Sequence, residues 1–293
     1  MSFVDHVRRL QGHDPGRFLP WHADGWQAGH VELPFAQLLS DFPEVFDVRD
    51  TELRLHASLE SCEARSEAVS DVVRALHDGG AVRLIGNELY PIAPRFGAEP
   101  WLLLERSMLP HFGARAHGVH MNGLVRRDDG LHIWIARRAD DRTSYPGQLD
   151  NVVGGGQPHG LGVRENLVKE SAEEAGFPAD LVSTARPVGT VSYRMDLERG
   201  LRDDVLFLFD LELPESVVPH NTDGEVAAFE LWPATQVMAE VDATSRFKFN
   251  CNLVLLDLFL REGLLTPDHP DYIEISTSLR RPTPLPTVTN HSP

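Results

Sequence analysis

The stretch of chain around residue 165 constrains the fold most, because a run of three glycines precedes a helix that carries three glutamates on one side. Residues 149–156, LDNVVGGG, have the composition of an extended strand. The spacing of apolar residues predicts a helix over residues 162–176, which Gly176 then ends. The sequence therefore predicts a strand, a glycine-rich loop and an acidic helix in immediate succession.

The acidic side of this helix is the first indication of chemistry. Glu170, Glu173 and Glu174 fall at i, i+3 and i+4, so they share an arc roughly 100° wide. Three carboxylates on one stripe repel one another unless solvent or a cation separates them. Carboxylate oxygens are the ligands that hard cations such as Mg²⁺ prefer. The spacing alone leaves two interpretations open, a solvated acidic face and a metal site.

The segment as a whole resembles the Nudix box, G-x5-E-x7-R-E-U-x-E-E-x-G-U, where U is apolar. Six positions fall in register, namely Gly155, Glu170, Glu173, Glu174, Gly176 and Phe177. The resemblance implies a Nudix α/β/α sandwich and hydrolysis of a diphosphate linkage to a monophosphate. It also implies that the three glutamates hold Mg²⁺ or Mn²⁺, and that Gly155 lets the backbone approach the junction of loop and helix.

Three positions depart from the family pattern. Its first Glu is Leu161 here, its Arg is Lys169, and its apolar residue after the Arg-Glu pair is Ser171. In the family, the first Glu and the Arg support the loop and the helix, whereas the later glutamates hold metal. Lys169 therefore lacks the partner that its family counterpart has, but the metal-binding set is complete. The departures indicate a divergent site that still binds metal.

The chain length of 293 residues predicts two domains. Residues 1–113 are expected to form an accessory α+β domain, with helices at 34–41 and 60–78. This segment contains no catalytic motif. Residues 114–265 are expected to form the Nudix domain, and residues 266–293 a partly disordered C-terminal extension. Shorter elements are predicted as extended pieces at 46–57 and 81–86, a hairpin over 118–138, strands at 186–196, 203–212 and 225–232, and helices at 233–241 and 250–262.

Several accessory segments resemble Nudix proteins with an extra N-terminal domain, which are related to the Nudix part of thiamine-pyrophosphokinase-like fusion proteins. The segments are GVHMNG at 118–123, SYPGQLDN at 144–151, the GGGQPHG loop, and FKFNC at 247–251. That group is associated with hydrolysis of thiamine pyrophosphate and its oxidised analogues. The resemblance therefore implies a thiamine-type diphosphate as the substrate.

The same resemblance suggests which other residues form the site. We expect five residues to contact the substrate: Tyr145, Gln148, Asn151, Gly155 and Lys248. We expect Glu174 to be catalytic, and Glu170 or Glu225 to remove a proton from the attacking water. Glu225 is also a candidate metal ligand, although a carboxylate at a turn beside Gly224 is an alternative interpretation. Trp21 or Trp26 could stack on the substrate's rings.

Net charge excludes some partners. The chain has 27 basic and 44 acidic residues, a formal charge of −17, which disfavours binding to nucleic acid or to an anionic membrane. We therefore expect a small-molecule diphosphate as partner, with a homodimer possible. The N-terminus does not read as a signal peptide, so we expect a cytoplasmic protein. The 25 arginines against two lysines suggest a GC-rich bacterial genome.

Three alternatives to this function stay open. A nucleoside-diphosphate hydrolase would use the same metal chemistry. A non-catalytic Nudix-fold module would bind its ligand without turnover. An isopentenyl-diphosphate isomerase of this fold would need a cysteine where Gly154 stands. A dinucleotide-binding fold is disfavoured because the helix does not open with G-x-G-x-x-G.

Overall fold

The computed structural model describes residues 1–280. The N-terminal part contains, in chain order, α1 (Phe3–Arg9), β1 (Phe18–Ala23), β2 (Trp26–Glu32), α2 (Leu33–Leu39), β3 (Phe46–Val48), β4 (Leu53–Leu55), α3 (Cys62–Asp78), β5 (Leu89–Ile92) and β6 (Leu102–Glu105). Four strands form a sheet in the order β2–β1–β4–β3, and β5 pairs with β6 in a separate hairpin. This part of the chain is a small α+β unit with its own apolar core.

The second part is built on one large sheet. Its elements are β7 (Arg115–Arg127), β8 (Gly130–Arg138), β9 (Leu149–Asp150), β10 (Val153–Gly156), α4 (Val163–Ala175), α5 (Ala179–Ser183), β11 (Arg186–Leu197), β12 (Gly200–Glu212), β13 (Val226–Pro233), α6 (Ala234–Ala243), α7 (Cys251–Arg261) and α8 (Tyr272–Ser278). Strands β11–β12–β7–β8–β13 form the main path, with β10 paired to β7 and β9 paired to β8. The first half of β7 pairs with β10 and its second half with β8.

Helices cover both faces of this sheet, which confirms the predicted α/β/α sandwich. Successive side chains of a strand point to opposite faces. In β7, Val119 and Met121 therefore join the core beneath α4, whereas Leu124 joins the core beneath α6, α7 and α8. The acidic helix and the C-terminal helices thus lie on opposite sides of one sheet.

Helix α1 belongs to the second core, although it comes first in the chain. Phe3, Val4 and Val7 are buried in the same cluster as Phe259 of α7. The His6 ring bonds to the backbone oxygen of Val241 at 2.7 Å, which fixes α1 against the end of α6. The N-terminal helix is thus a structural part of the predicted second domain.

Most predicted elements form, with small differences at their ends. The helix predicted at 60–78 spans 62–78, and the strand predicted at 186–196 spans 186–197. The extended piece predicted at 81–86 is wrong. The amides of Ala81 and Val82 bond back to the oxygen of Leu76, so this segment closes the end of α3 instead of pairing as a strand.

The predicted C-terminal extension is only partly within the described residues. Residues 272–278 form α8, which contacts α1 and α7. The tail for which the proline content predicts disorder lies almost entirely in residues 281–293, outside the described residues. Within residues 1–280, no helix combines the length and apolar character needed to cross a membrane.

We predict that removing two methyl groups from α1 destabilises the second domain. Val7 is 1% exposed, so Val7→Ala should lower the free energy of unfolding by roughly 2 kcal/mol through lost burial and a residual cavity. Denaturant titration of the full chain measures this. The control is Arg9→Ala on the exposed side of the same helix, and equal stabilities for the two variants would contradict the packing described here.

Candidate active site

The acidic helix packs against a strand that has almost no side chains. Strand β10 pairs with β7 so that Gly154, Gly155 and Gly156 lie opposite His120, Val119 and Gly118. Helix α4 returns over this strand and ends at Gly176, whose φ of 65° is the left-handed conformation that glycine adopts readily. The C-terminal half of α4 therefore meets bare backbone.

Two glutamates use this space. The Oε2 atom of Glu174 accepts a 2.8 Å hydrogen bond from the backbone amide of Gly154. A Cβ atom on Gly155 would lie within 2.5 Å of Glu170 Cγ and Oε2, so any side chain there would displace Glu170. The predicted role of Gly155, to permit close approach, agrees with this geometry.

Burial makes these two carboxylates hard to ionise. Glu174 is 9% exposed, and burial together with the nearby charges of Asp150 and Glu170 raises its pKa well above the ordinary value. Burial also raises the pKa of Glu170, which Lys169 partly offsets. Glu174 is buried and Glu170 half-buried, and a divalent cation between them would offset the unfavourable burial of both carboxylates, so the pair fits a site for such a cation.

Glu173 lies at the edge of this pair. Its side chain is 47% exposed, and its Oε2 atom lies 2.7 Å from Lys169 Nζ, one turn earlier on the helix. Lys169 Nζ is also 3.4 Å from Glu170 Oε1. Lys169 thus lacks the family's partner at position 161, where Leu161 stands, and pairs instead with the carboxylates of its own helix.

A second group of potential metal ligands lies close by. His120, Asp150 and Cys251 are buried, with ligand atoms within 4.8 Å of one another. Asp150, however, already binds Arg138 at 3.0 Å and Lys248 at 3.4 Å. Two cations on one carboxylate oppose the entry of a third, so the geometry favours Glu170 and Glu174 as the metal-binding pair.

These residues form part of a buried polar cluster, which comprises His120, Asn122, Asp150, Asn151, Lys248, Asn250 and Cys251. Asn151 Oδ1 pairs with His120 Nδ1 at 2.9 Å, and Asn151 Nδ2 donates to Asn122 Oδ1 at 3.2 Å. The thiol of Cys251 donates to Asp150 Oδ1 at 2.7 Å. The cluster joins three segments distant in sequence, 118–123, 144–151 and 247–251.

The charge states within the cluster follow from burial and neighbours. Burial and the charge of Lys248 lower the pKa of His120 to about 4, so its ring is neutral at pH 7. Burial opposes ionisation of Asp150, but the charges of Lys248, His120 and Arg138 outweigh it and lower the pKa to about 2. Lys248 also lowers the pKa of Glu174, so the cation that pairs with Asp150 acts electrostatically on the acidic helix as well.

Among the predicted substrate contacts, Asn151 differs from Tyr145, Gln148 and Lys248. Asn151 is 2% exposed and fully engaged in the cluster, so it positions its neighbours and does not face a substrate. Tyr145 is half-buried beside Phe249, with ring centres 5.3 Å apart. Gln148 Oε1 is buried without a hydrogen-bond partner among residues 1–280, and Lys248 lies next to Glu174.

Glu225 is not joined to the acidic helix by an ion pair or side-chain hydrogen bond. Its carboxylate pairs with Arg142 of the loop between β8 and β9, and its amide bonds to Asp223 Oδ1 at 2.8 Å. The charged neighbours with the largest effects on Glu170 and Glu174 do not include Glu225. The geometry therefore favours Glu170 over Glu225 as the proton acceptor.

Sequence reasoning missed the contribution of the N-terminal part. A side chain on Gly156 would overlap Tyr90 Oη, because the Tyr90 ring of β5 occupies that space. Arg106 lies beside it, with its guanidinium carbon 6.0 Å from the Tyr90 ring centre. No periodicity marks either residue. The one signal was the third glycine of β10, because the packing of Glu170 and Glu174 does not require a glycine at position 156.

The predicted stacking role of Trp21 is wrong. Its ring is fully buried in the N-terminal core, and its indole N–H donates to the backbone oxygen of Phe112 at 2.7 Å. Trp26 packs on Trp101 with ring centres 6.5 Å apart, also within the N-terminal part. Tyr90 lies beside Gly156 at the glycine strand, whereas Tyr145 packs on the core beneath α6, α7 and α8.

We predict that Gly155→Ala impairs metal binding while the fold persists. The added methyl group would occupy the space of Glu170, so the affinity for Mn²⁺ should fall at least about tenfold, the equivalent of one lost charged ligand. Isothermal titration with Mn²⁺ measures this. Gly162→Ala is the matched control, since Gly162 has an ordinary φ of −69° and open space around it. Equal affinities for both variants would contradict the assignment.

We predict that Glu174→Gln stabilises the protein in EDTA. The raised pKa means that the folded state keeps a proton that the unfolded chain loses near pH 4.5. The contribution of Glu174 to stability is thus full below that pH and declines as the pH rises through the folded pKa. At pH 8 the variant should be about 1–3 kcal/mol more stable than the parent, and the difference should vanish at low pH.

Thermal unfolding at several pH values tests this, with Glu165→Gln on the exposed side of the same helix as control. Added Mg²⁺ should stabilise the parent protein and not Glu174→Gln. A parent protein that is more stable than Glu174→Gln in EDTA at pH 8 would contradict the proposed electrostatic strain.

Comparisons with known proteins agree with this geometry. The NUDIX domain family matches residues 116–253, and a family described as a domain of unknown function, DUF4743, matches residues 1–116. The chain is 41% identical over 275 residues to Nudix hydrolase 20, chloroplastic, of Arabidopsis thaliana, which covers 90% of this chain and 73% of that protein. It is 41% identical over 268 residues to Nudix hydrolase 24, chloroplastic, of the same plant, with the same two coverages.

A more distant relative is an uncharacterized protein of Saccharomyces cerevisiae, 28% identical over 265 residues, with coverages of 84% and 77%. The matches to all three proteins extend through both the N-terminal part and the sandwich. The resemblance that the acidic helix suggested is confirmed, and the chain belongs to the Nudix hydrolase family, with an N-terminal DUF4743 region.

Proposed function

We propose that the protein hydrolyses a diphosphate linkage to a monophosphate, with thiamine pyrophosphate or an oxidised analogue as its substrate. The observation that carries the hydrolytic part is a pair of carboxylates on α4, the buried Glu174 and the half-buried Glu170, which pack against the glycines of β10. The charge of Lys248 lowers the pKa of Glu174. The thiamine part is supported by the sequence resemblance of segments 118–123, 144–151 and 247–251.

The metal that this site would hold is Mg²⁺ or Mn²⁺, with Glu170 and Glu174 as inner ligands and Glu173 at the edge. When bound, such a cation supplies charge for the diphosphate oxygens and lowers the pKa of a water molecule. Carboxylate oxygens are suited to either ion, and only partial compensation is present: Lys169 lowers the pKa of Glu170, and Lys248 lowers that of Glu174.

The side chains have separate roles in this mechanism. Glu170 accepts the proton of the attacking water, because it lies at the glycine strand within the metal-binding pair, whereas Glu225 pairs with Arg142. Lys248 offsets negative charge on the phosphate that leaves or is attacked. Gly155 supplies the clearance that Glu170 needs, and Gly154 orients Glu174 through its amide.

The organic part of the substrate would lie near Tyr145. This ring packs beside Phe249, and the guanidinium of Arg202 lies 5.6 Å from the Phe249 ring centre, so the region combines aromatic faces with polar groups. Gln148 contributes a buried carbonyl oxygen without a partner among the described residues. An aminopyrimidine offers a ring for Tyr145 and an amino donor for Gln148.

Other predictions for this protein stay predictions. These are the cytoplasmic location, the homodimer, and the absence of nucleic-acid and membrane partners. The two Arabidopsis relatives carry the word chloroplastic in their names, which is a statement about those proteins. A nucleoside-diphosphate substrate is the main alternative, since its base and diphosphate would present the same kinds of groups.

We predict that thiamine pyrophosphate or an oxidised analogue is cleaved with a higher kcat/KM than ADP-ribose, NADH or nucleoside triphosphates. A phosphate-release assay with each compound, with Mg²⁺ and with EDTA, measures this. Glu174→Gln should lower kcat at least about 100-fold, whereas the matched Glu165→Gln should be close to the parent.

The outcomes separate the alternatives. A higher kcat/KM for any nucleotide would refute the thiamine assignment and leave the hydrolase intact. Turnover that survives EDTA, or full activity of Glu174→Gln, would remove the metal site. Tight binding of a diphosphate compound without any cleavage would identify a binding module.

A further inference from the structure

We propose that Tyr90 and Arg106, both from the N-terminal part, form a phosphate-binding subsite that completes the hydrolytic site. This inference rests on the proposed function, because it assumes that a diphosphate lies beside Glu170. It assigns to the N-terminal part a direct contact with the substrate, in the form of one hydroxyl and one guanidinium group.

The first argument is position. The Tyr90 hydroxyl stands where a side chain of Gly156 would be, at the end of strand β10, against which Glu170 and Glu174 of α4 pack. The amide of His159, in the loop that leads to α4, donates to the backbone oxygen of Leu89 at 2.8 Å. The strand that carries Tyr90 is thus hydrogen-bonded to the active-site loop. This bond joins the N-terminal part to the sandwich at this point.

The second argument is an unused hydrogen-bonding group. Tyr90 is 3% exposed, and its hydroxyl has no hydrogen-bond partner among residues 1–280. Buried hydroxyls in native proteins nearly always have a partner, so this one calls for an explanation. A phosphate oxygen on the site side of β10 is an acceptor of the right kind.

The third argument is the guanidinium of Arg106. It makes one side-chain hydrogen bond, from Nη1 to Glu88 Oε2 at 2.8 Å, although an arginine has five N–H donors. The Arg106 side chain is 54% exposed and so stays accessible to a ligand. A Cβ atom on Gly156 would lie 3.4 Å from Arg106 Cζ, so the guanidinium lies next to the glycine that follows Gly155, and it interacts electrostatically with Glu170.

Charge explains why such a subsite would be needed. The chain carries a net charge of −17, so a diphosphate approaching the acidic helix meets repulsion before any metal ion acts. Lys248 supplies a cation on one side of Glu174, and Arg106 supplies one beside Glu170. Arginine suits this role because its planar donors match two oxygens of a phosphate.

An alternative reading is that Arg106 only fixes the N-terminal part through Glu88 and the Tyr90 ring. Two variants separate these roles. Arg106→Gln removes the charge from the subsite, whereas Glu88→Gln removes the ion pair and leaves the charge. A purely structural role predicts similar losses for both variants, while phosphate binding predicts a loss for Arg106→Gln alone.

The test uses the full chain and methylenediphosphonate, a diphosphate that cannot be hydrolysed, titrated calorimetrically in the presence of Mg²⁺. Arg106→Gln should weaken its binding by about 10-fold or more, the range for one charged hydrogen bond. Tyr90→Phe, which keeps the ring, should weaken binding about 3- to 10-fold without lowering Tm. Affinity for Mn²⁺ alone should change by less than about twofold in both, since neither residue is a proposed metal ligand.

Arg74→Gln is the matched control, because Arg74 is also an N-terminal arginine paired with one carboxylate, that of Asp71, and lies on exposed α3. It should bind methylenediphosphonate like the parent. If Arg106→Gln and Tyr90→Phe both bind like Arg74→Gln, the subsite does not exist. If Glu88→Gln weakens binding as much as Arg106→Gln, the pair has only a structural role.

These outcomes are distinct from failure of the proposed function. A parent protein that cleaves diphosphates while Arg106→Gln keeps its kcat/KM would overturn the subsite alone. A parent protein that binds methylenediphosphonate through Arg106 but cleaves no diphosphate would overturn the hydrolysis alone.

Discussion

The site depends on a strand from which side chains are missing. Three consecutive glycines in β10 leave its backbone open, and three different groups use the space. Glu174 bonds to the amide of Gly154, Glu170 lies over Gly155, and the Tyr90 hydroxyl stands beside Gly156. Because protein interiors are closely packed, a methyl group added at Gly155 or Gly156 would displace Glu170 or Tyr90, and one added at Gly154 would collide with the His120 ring. The glycines therefore determine how carboxylates and substrate-binding groups come together.

This arrangement makes ionisation of the metal-binding carboxylates unfavourable in the metal-free protein. Burial raises the pKa values of Glu170 and Glu174, and the charges of Asp150 and Glu170 raise that of Glu174 further. Arg138 and Lys248 both pair with the Asp150 carboxylate, which fixes a cation whose charge also acts on Glu174. A bound cation would offset this unfavourable free energy of ionisation, because the same burial that opposes ionisation strengthens the attraction of the carboxylates to a divalent ion.

The two parts of the chain are interleaved, not simply joined end to end. Helix α1 comes first in sequence but packs on α7 in the second core, while β5 brings Tyr90 to the active-site loop. Removing residues 1–113 would therefore expose core side chains of the sandwich as well as remove Tyr90 and Arg106. Point variants are the cleaner way to separate the contribution of the N-terminal part from stability.

Local periodicity in the sequence predicts two parts of the site, the acidic side of α4 and the glycine strand before it. Helical spacing put Glu170, Glu173 and Glu174 on one side of α4, and the glycine run before it identified a strand with open backbone, because both are properties of neighbouring residues. The i, i+4 spacing also allows Lys169 to pair with Glu173, while Leu161 leaves no carboxylate at the position that the family pattern uses.

Which residues distant in sequence meet at the site depends on the tertiary structure. The convergence of His120, Asp150 and Cys251, the pairing of Glu225 with Arg142, and the approach of Tyr90 to Gly156 each depend on how strands align across the sheet or how two parts of the chain pack. Those contacts are set by packing and burial across long separations in sequence. No local pattern encodes them, which is why Trp21 was a plausible ligand contact in the sequence and a core residue in the fold.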